Sequence, residues 1–195
     1  RVAFGGSFRV YGDDLIGQTV SEETAYGKVG DLSHLSKVYV EQLARMLGLP
    51  FVSVRLGVTY GLSPIMKTSP SYMTVPNLFC QRAVEGEVLR VLEDRPLAFI
   101  HVEDAADALL AAAQRVLTYE IVNAAPEVAT IGQLARTVQR AAHDRGTWVR
   151  IDGAASSEAG YTVESRLAAD GFRPRHSLAT SIGPVLDFFA QTQGR

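Results

Sequence analysis

Two side chains with usable polar chemistry stand near the start of the chain, Ser7 and Lys37. Ser7 closes the apolar run VAFGGS, which reads as a buried strand delivering a hydroxyl to its carboxyl end. Lys37 lies in SHLSKVYVEQLARMLG, one helical turn after Ser33. A hydroxyl at a strand end can orient a substrate oxygen, and an ammonium beside it can hold hydroxyls or favour a neighbouring anion. The pair therefore reads as half of an active site, placed where open α/β sheets bind ligands. A hydrolase nucleophile is the weaker reading, because GGSFR lacks the second glycine of Gly-x-Ser-x-Gly. His101 before Glu103 and Asp104 has the residue types of a metal site, but acidic residues also suit a helix N-terminus. The histidines at 34, 101, 143 and 176 show no ligand spacing, so no metal is expected.

The elements that must position Ser7 and Lys37 follow from periodicity. Residues 33–47 predict a helix with Leu35, Tyr39, Leu43 and Met46 on one stripe and Ser33, Lys37, Glu41 and Ala44 on another, closed by Gly48. The apolar stripe is expected to pack on the sheet. FVSVRLG after Pro50 predicts a strand, and residues 62–72 a long loop of the kind used for binding segments. A helix over 75–87, a short strand VLRVL, a strand LAFIH over 97–101 and an alanine-rich helix from Glu103 to Arg115 come next. YEIVNAA over 119–125 is a strand, and Thr130-x-x-Gln133 is a capping box for a helix to about His143. WVRI predicts a further strand, SSEAG a flexible loop, ESRLAADGF a short helix, and Ser177 opens a last helix ending near Gln193. Strands alternating with helices predict an α/β fold with parallel pairing.

Three segments together, GGSFRVYG, SHLSK and RLGVTYG, resemble the extended short-chain dehydrogenase/reductase family of nucleotide-sugar epimerases and dehydratases. Further segments, VPNLFCQRAVEGEVLRV, FIHVEDAADALLAAA, YEIVNAAPE and LAADGFRPRHSLATSIGPVLDFF, follow the family's order. The resemblance spans almost every residue and corresponds to the last two thirds of a family member. It implies a Rossmann-like doubly wound parallel sheet, of which the C-terminal half is present, with a smaller α+β substrate-binding lobe. The expected division is 1–62 for the second half of the dinucleotide-binding domain, 63–97 for the first part of the lobe, 98–128 for a return to the Rossmann-like domain, and 129–195 for the rest of the lobe.

What the resemblance implies for chemistry is an NAD- or NADP-dependent epimerase, dehydratase or reductase acting on a nucleotide sugar by transient hydride transfer. Ser7 takes the place of the hydroxyl that orients the substrate, and Lys37 that of the lysine holding the cofactor ribose. The family's tyrosine, whose phenolate removes a proton, is Ser33 here, and a serine is a far weaker acid than a phenol. A water, or Tyr26 or His34 beside the helix start, is the candidate substitute for that base. The asparagine of the Arg-x-x-Asn turn is Val58, and the arginine before FIHV gives way to Leu97-Ala98. Leu56, Gly57 and Val58 are expected beside the cofactor, and Ser7, Tyr60 and Val75 beside the substrate. The joint loss of polar groups also supports a second expectation, a degenerate member that binds dinucleotide or a protein partner without turnover.

Composition bounds the rest. The chain has 195 residues, 47% hydrophobic and 21% charged, with a formal charge of -2, which provides no basic field for nucleic acid. The single cysteine, Cys80, excludes an internal disulfide and leans towards a reducing, cytoplasmic setting. No apolar run reaches the ~18 residues of a membrane helix. The chain opens at Arg1 inside a core strand and has no Gly-x-x-Gly-x-x-Gly loop, so a preceding half is expected. The resemblance implies a homodimer formed through the helix that bears Lys37.

Overall fold

A computed structural model describes residues 1–28, 30–115, 118–153 and 160–193. Its central layer is a parallel sheet of β1 (Val2–Ser7), β3 (Phe51–Leu56) and β7 (Glu120–Ala124), in the order β1-β3-β7. Side chains alternate along β3, and the alternation sets the two outer layers. Val52 and Val54 join Ala105, Ala108 and Ala112 of α3 (Val102–Arg115) in one apolar cluster. Ser53 and Arg55 face the opposite way and bond Glu41 of α1 (Leu32–Met46). Helices thus cover both faces of a parallel sheet, the doubly wound arrangement expected from the sequence.

The stripe that α1 turns inward is the reverse of the expected one. Leu35, Tyr39 and Met46 are 52%, 65% and 76% exposed, whereas Glu41 and Ala44 are buried. The cause lies in the sheet rather than the helix. The face beneath α1 carries Ser53 and Arg55, and a buried guanidinium needs an anion more than it needs leucine. Gly6 makes the approach possible, since a Cβ there would collide with Ser53 Oγ and crowd Glu41 Oε1 at 3.2 Å.

A second sheet contains β4 (Val58–Tyr60), β6 (Pro96–His101) and β8 (Glu127–Thr130), with β4 parallel and β8 antiparallel to β6. β8 carries no strand signal of its own; this four-residue stretch after Pro126 becomes a strand by pairing with β6. Helices α2 (Val75–Val84), α4 (Ile131–His143) and α6 (Leu178–Gln193) close around Phe79, Cys80, Leu134, Val138, Ile182 and Leu186. The Thr130–Gln133 capping box opens α4 as expected. Two short parallel pairs complete the described chain. β2 (Thr19–Val20) pairs with β10 (Thr162–Val163), and β5 (Leu89–Val91) with β9 (Ile151–Gly153). The strand expected at WVRI therefore starts only at its last residue, Ile151. The last short helix is α5 (Arg166–Ala169). Residues 156–159 of the SSEAG segment lie outside the described residues. No described helix is long and apolar enough to cross a membrane.

Candidate active site

Parallel pairing sets Ser7 and Leu56 side by side at the carboxyl ends of β1 and β3. Above them lies a cavity of about 220 Å³ lined by Ser7, His34, Leu56, Gly57, Val58 and Thr74, among others. A crevice outside the carboxyl ends of parallel strands is where such sheets bind ligands, because the chain reverses there and leaves backbone groups free. The Ser7 oxygen accepts the Arg9 N–H at 3.3 Å, which leaves its own proton available to a bound oxygen.

His34 reaches the cavity from the first turn of α1. Asp31 caps that helix, accepting the His34 backbone N–H at 2.9 Å on Oδ1 and facing the ring Nδ1 at 2.5 Å with Oδ2. These two contacts hold the Asp31 carboxyl below the usual aspartate range, the backbone N–H contributing most. In a neutral ring, Nδ1–H donated to this carboxylate leaves Nε2 as a lone-pair acceptor, the form an imidazole base requires. Sequence reasoning finds His34 but passes over Asp31, because it starts the helix two residues after this cap; the Asp-x-x-His spacing is the signal that could have found it.

Lys37 extends along β1 instead of into water. Its Nζ donates to the Gly5 carbonyl at 2.8 Å and stands 4.7 Å from the centre of the Phe4 ring. An ammonium has three donors, so two remain beyond Gly5, but Lys37 is not among the residues that line the cavity at Ser7.

Other expected residues go elsewhere. Ser33 is exposed, and its carbonyl accepts the Ser36 hydroxyl at 2.6 Å, a contact within the helix turn; it does not line the cavity. Tyr26 donates its hydroxyl to Glu41 Oε2 at 2.8 Å and lines a different cavity with Arg55 and Tyr119. Burial, then the Glu41 carboxylate, push its phenol up, which is the wrong direction for a base. Tyr60 is 2% exposed, with its ring edge on His101 at 5.4 Å and burial raising its phenol. Val75 opens α2 and packs into the apolar cluster, while its neighbour Thr74 lines the cavity. Residues that sequence reasoning does not single out complete the rim. Arg9 and Arg95 both hold Asp13, at 2.8 and 2.7 Å, and Tyr161 stacks on Phe8 with centroids 5.9 Å apart.

A model of the NAD dependent epimerase/dehydratase family matches residues 1–125. The chain belongs to that family. Over nearly its whole length the chain agrees in fold with solved structures. One is the UDP-glucose-4-epimerase of Stenotrophomonas maltophila with bound NAD, at 19% identity and TM-score 0.79 over 100% of this chain and 65% of that one. Another is a point mutant of the UDP-glucuronic acid 4-epimerase of Bacillus cereus in complex with a fluorinated UDP-glucuronic acid and NAD, at 18% identity and TM-score 0.77 over 97% and 61%. A third is the UDP-glucose 4-epimerase of Thermotoga maritima with UDP-glucose, at 19% and TM-score 0.72 over 98% and 63%. The chain thus spans under two thirds of the length of these family structures. No curated protein matches it. The family's Rossmann-like layer is the β1-β3-β7 sheet between α1 and α3, and the cavity at Ser7 lies at the strand ends of that layer.

Proposed function

We propose that the protein is an NAD- or NADP-dependent epimerase, dehydratase or reductase of nucleotide sugars, with its reaction centre in the cavity above Ser7. The observation that carries this reading is the convergence of Ser7 and the Asp31-held His34 on one cavity in a chain of this family. Ser7 donates to the reacting sugar hydroxyl and fixes its orientation. His34 removes that hydroxyl's proton through Nε2, in the role the family gives to the tyrosine that is Ser33 here. Asp31 keeps the ring turned to the cavity and stabilises the imidazolium that forms. A bound nicotinamide supplies the hydride acceptor and later donor. The donor set fits the ribose end of such a group, since Lys37 has two donors left beyond Gly5. Leu56, Gly57 and Val58 give the cavity its apolar floor, with Thr74 at its edge.

The wider assignment follows the same reading. Residues 1–62 and 98–128 act as the dinucleotide-binding part, and 63–97 with 129–195 as the substrate lobe. Two copies pair through the exposed face of α1, whose Leu32, Leu35, Tyr39 and Met46 are 81%, 52%, 65% and 76% exposed. A cytoplasmic setting agrees with the single free cysteine. The test is product formation from a panel of UDP-, GDP- and ADP-sugars with NAD and NADP, in the wild type and in Ser7→Ala. Turnover lost in the variant is expected. A panel with no turnover, or with turnover indifferent to Ser7→Ala, contradicts the proposal.

A further inference from the structure

Strand β6 ends on His101 and runs directly into α3, which puts Glu103 and Asp104 in the first helical turn. The segment before α6 crosses this junction. The Asp104 carboxylate, 1% exposed, accepts the backbone N–H groups of Arg175 and His176, each at 3.0 Å. The same carboxylate faces His176 Nδ1 at 3.1 Å. A buried carboxylate on Nδ1 fixes the tautomer and turns the Nε2 lone pair outward, which is how metal-ligating histidines are commonly held.

That lone pair has company. His176 Nε2 is 3.5 Å from Glu103 Oε2, and the His176 ring stacks on His101 with centroids 4.0 Å apart. One nitrogen of each imidazole and one oxygen of Glu103 all lie within 4.8 Å of one another. Ligand bonds of about 2.1 Å at the tetrahedral angle put donor atoms roughly 3.4 Å apart, so the His176–Glu103 separation already matches. Glu103 is the adaptable member, since its side chain is 59% exposed. His101 Nδ1 receives only a long contact, 3.3 Å from the Glu103 N–H. The nearby cation, Arg175, is held mainly by Asp107 at 2.7 Å and keeps a longer contact of 3.9 Å with Glu103 Oε2, which a bound ion would replace.

We propose that His101, Glu103 and His176 form a site for a divalent d-block cation, with Asp104 as the group that positions His176. Two imidazoles and one carboxylate suit zinc and its neighbours rather than calcium or magnesium, which take oxygen donors. The spacing of 2 and 73 residues between the ligands makes no pattern in the sequence; the fold makes the site by crossing the α6 approach over the β6–α3 junction. A bound ion ties these two segments together. His101 also backs onto Tyr60 and Gly61 at the end of β4, where a Cβ on Gly61 would collide with its ring.

The experiment is a titration of chelator-stripped protein with Zn²⁺ in competition with a chromogenic chelator, with thermal unfolding followed in parallel. One equivalent per chain is expected, with a higher Tm on binding and no response to Ca²⁺ or Mg²⁺. His176→Ala and Glu103→Gln should each weaken binding about tenfold or more, and His143→Ala, on the outer end of α4, should not. Because His101 is packed in the interior, the two more accessible ligands carry the test. Zinc affinity unchanged in His176→Ala, or lost in His143→Ala, overturns the proposal, as does the absence of binding to the wild type.

Discussion

Glu41 and Arg55 form a buried ion pair, with Oε2 and Nη2 2.6 Å apart and their side chains 0% and 2% exposed. Ser53 donates to the same carboxylate at 2.6 Å, and the guanidinium is sandwiched between the Tyr11 and Tyr26 rings at 4.6 and 4.9 Å. This pair orients α1, and with it Lys37 and His34. Removing one partner of a buried pair leaves the other charged and unmatched, at a cost of about 3–5 kcal/mol. Glu41→Ala is therefore expected to lower unfolding free energy by that amount in urea denaturation. A loss under about 1 kcal/mol would show that the pair does not hold the helix.

Lys37 is expected to act on binding. Lys37→Ala should weaken dinucleotide affinity by about ten- to a hundredfold, the value of one or two charge-assisted hydrogen bonds, in a fluorescence titration. Equal affinity in the variant would remove its assigned role.

Cys80 offers a check on the packing of the second cluster. It is fully buried, and burial pushes its thiol far above the usual range. A thiol reagent should leave the native protein unmodified and react with one equivalent in denaturant. Fast reaction in the native protein would contradict the close packing of α2, α4 and α6.

The exposed face of α1 predicts an oligomer. Leu35→Glu with Tyr39→Glu should halve the mass measured by light scattering, with helical content unchanged. A wild type that is already monomeric would contradict the pairing surface.

Whether a feature is legible in the sequence depends on whether it is local. The capping box at Thr130, the helix bearing Lys37 and the strands at Ser7 and Leu56 are legible because each rests on spacing within a few residues. The inward face of α1 is not, since hydrophobic periodicity points to Leu35 and Tyr39 while the choice is made by Arg55 on a later strand. β8 depends on a partner strand, and the His101–His176 contact on a crossing of distant segments. Within the candidate site, His34 can be proposed from its place at the helix start. Its separation from Tyr26 cannot, because Tyr26 turns to Glu41, fifteen positions later.

His34, held by Asp31, is proposed to carry out the proton transfer at the Ser7 cavity. The most direct measurement is kcat on a turned-over nucleotide sugar for His34→Ala, with and without added imidazole. A general base contributes about 10²–10⁴-fold, so kcat should fall by that range with substrate affinity little changed, and free imidazole should restore part of it. A kcat unchanged in His34→Ala, or a fall that imidazole leaves untouched, would contradict the assignment.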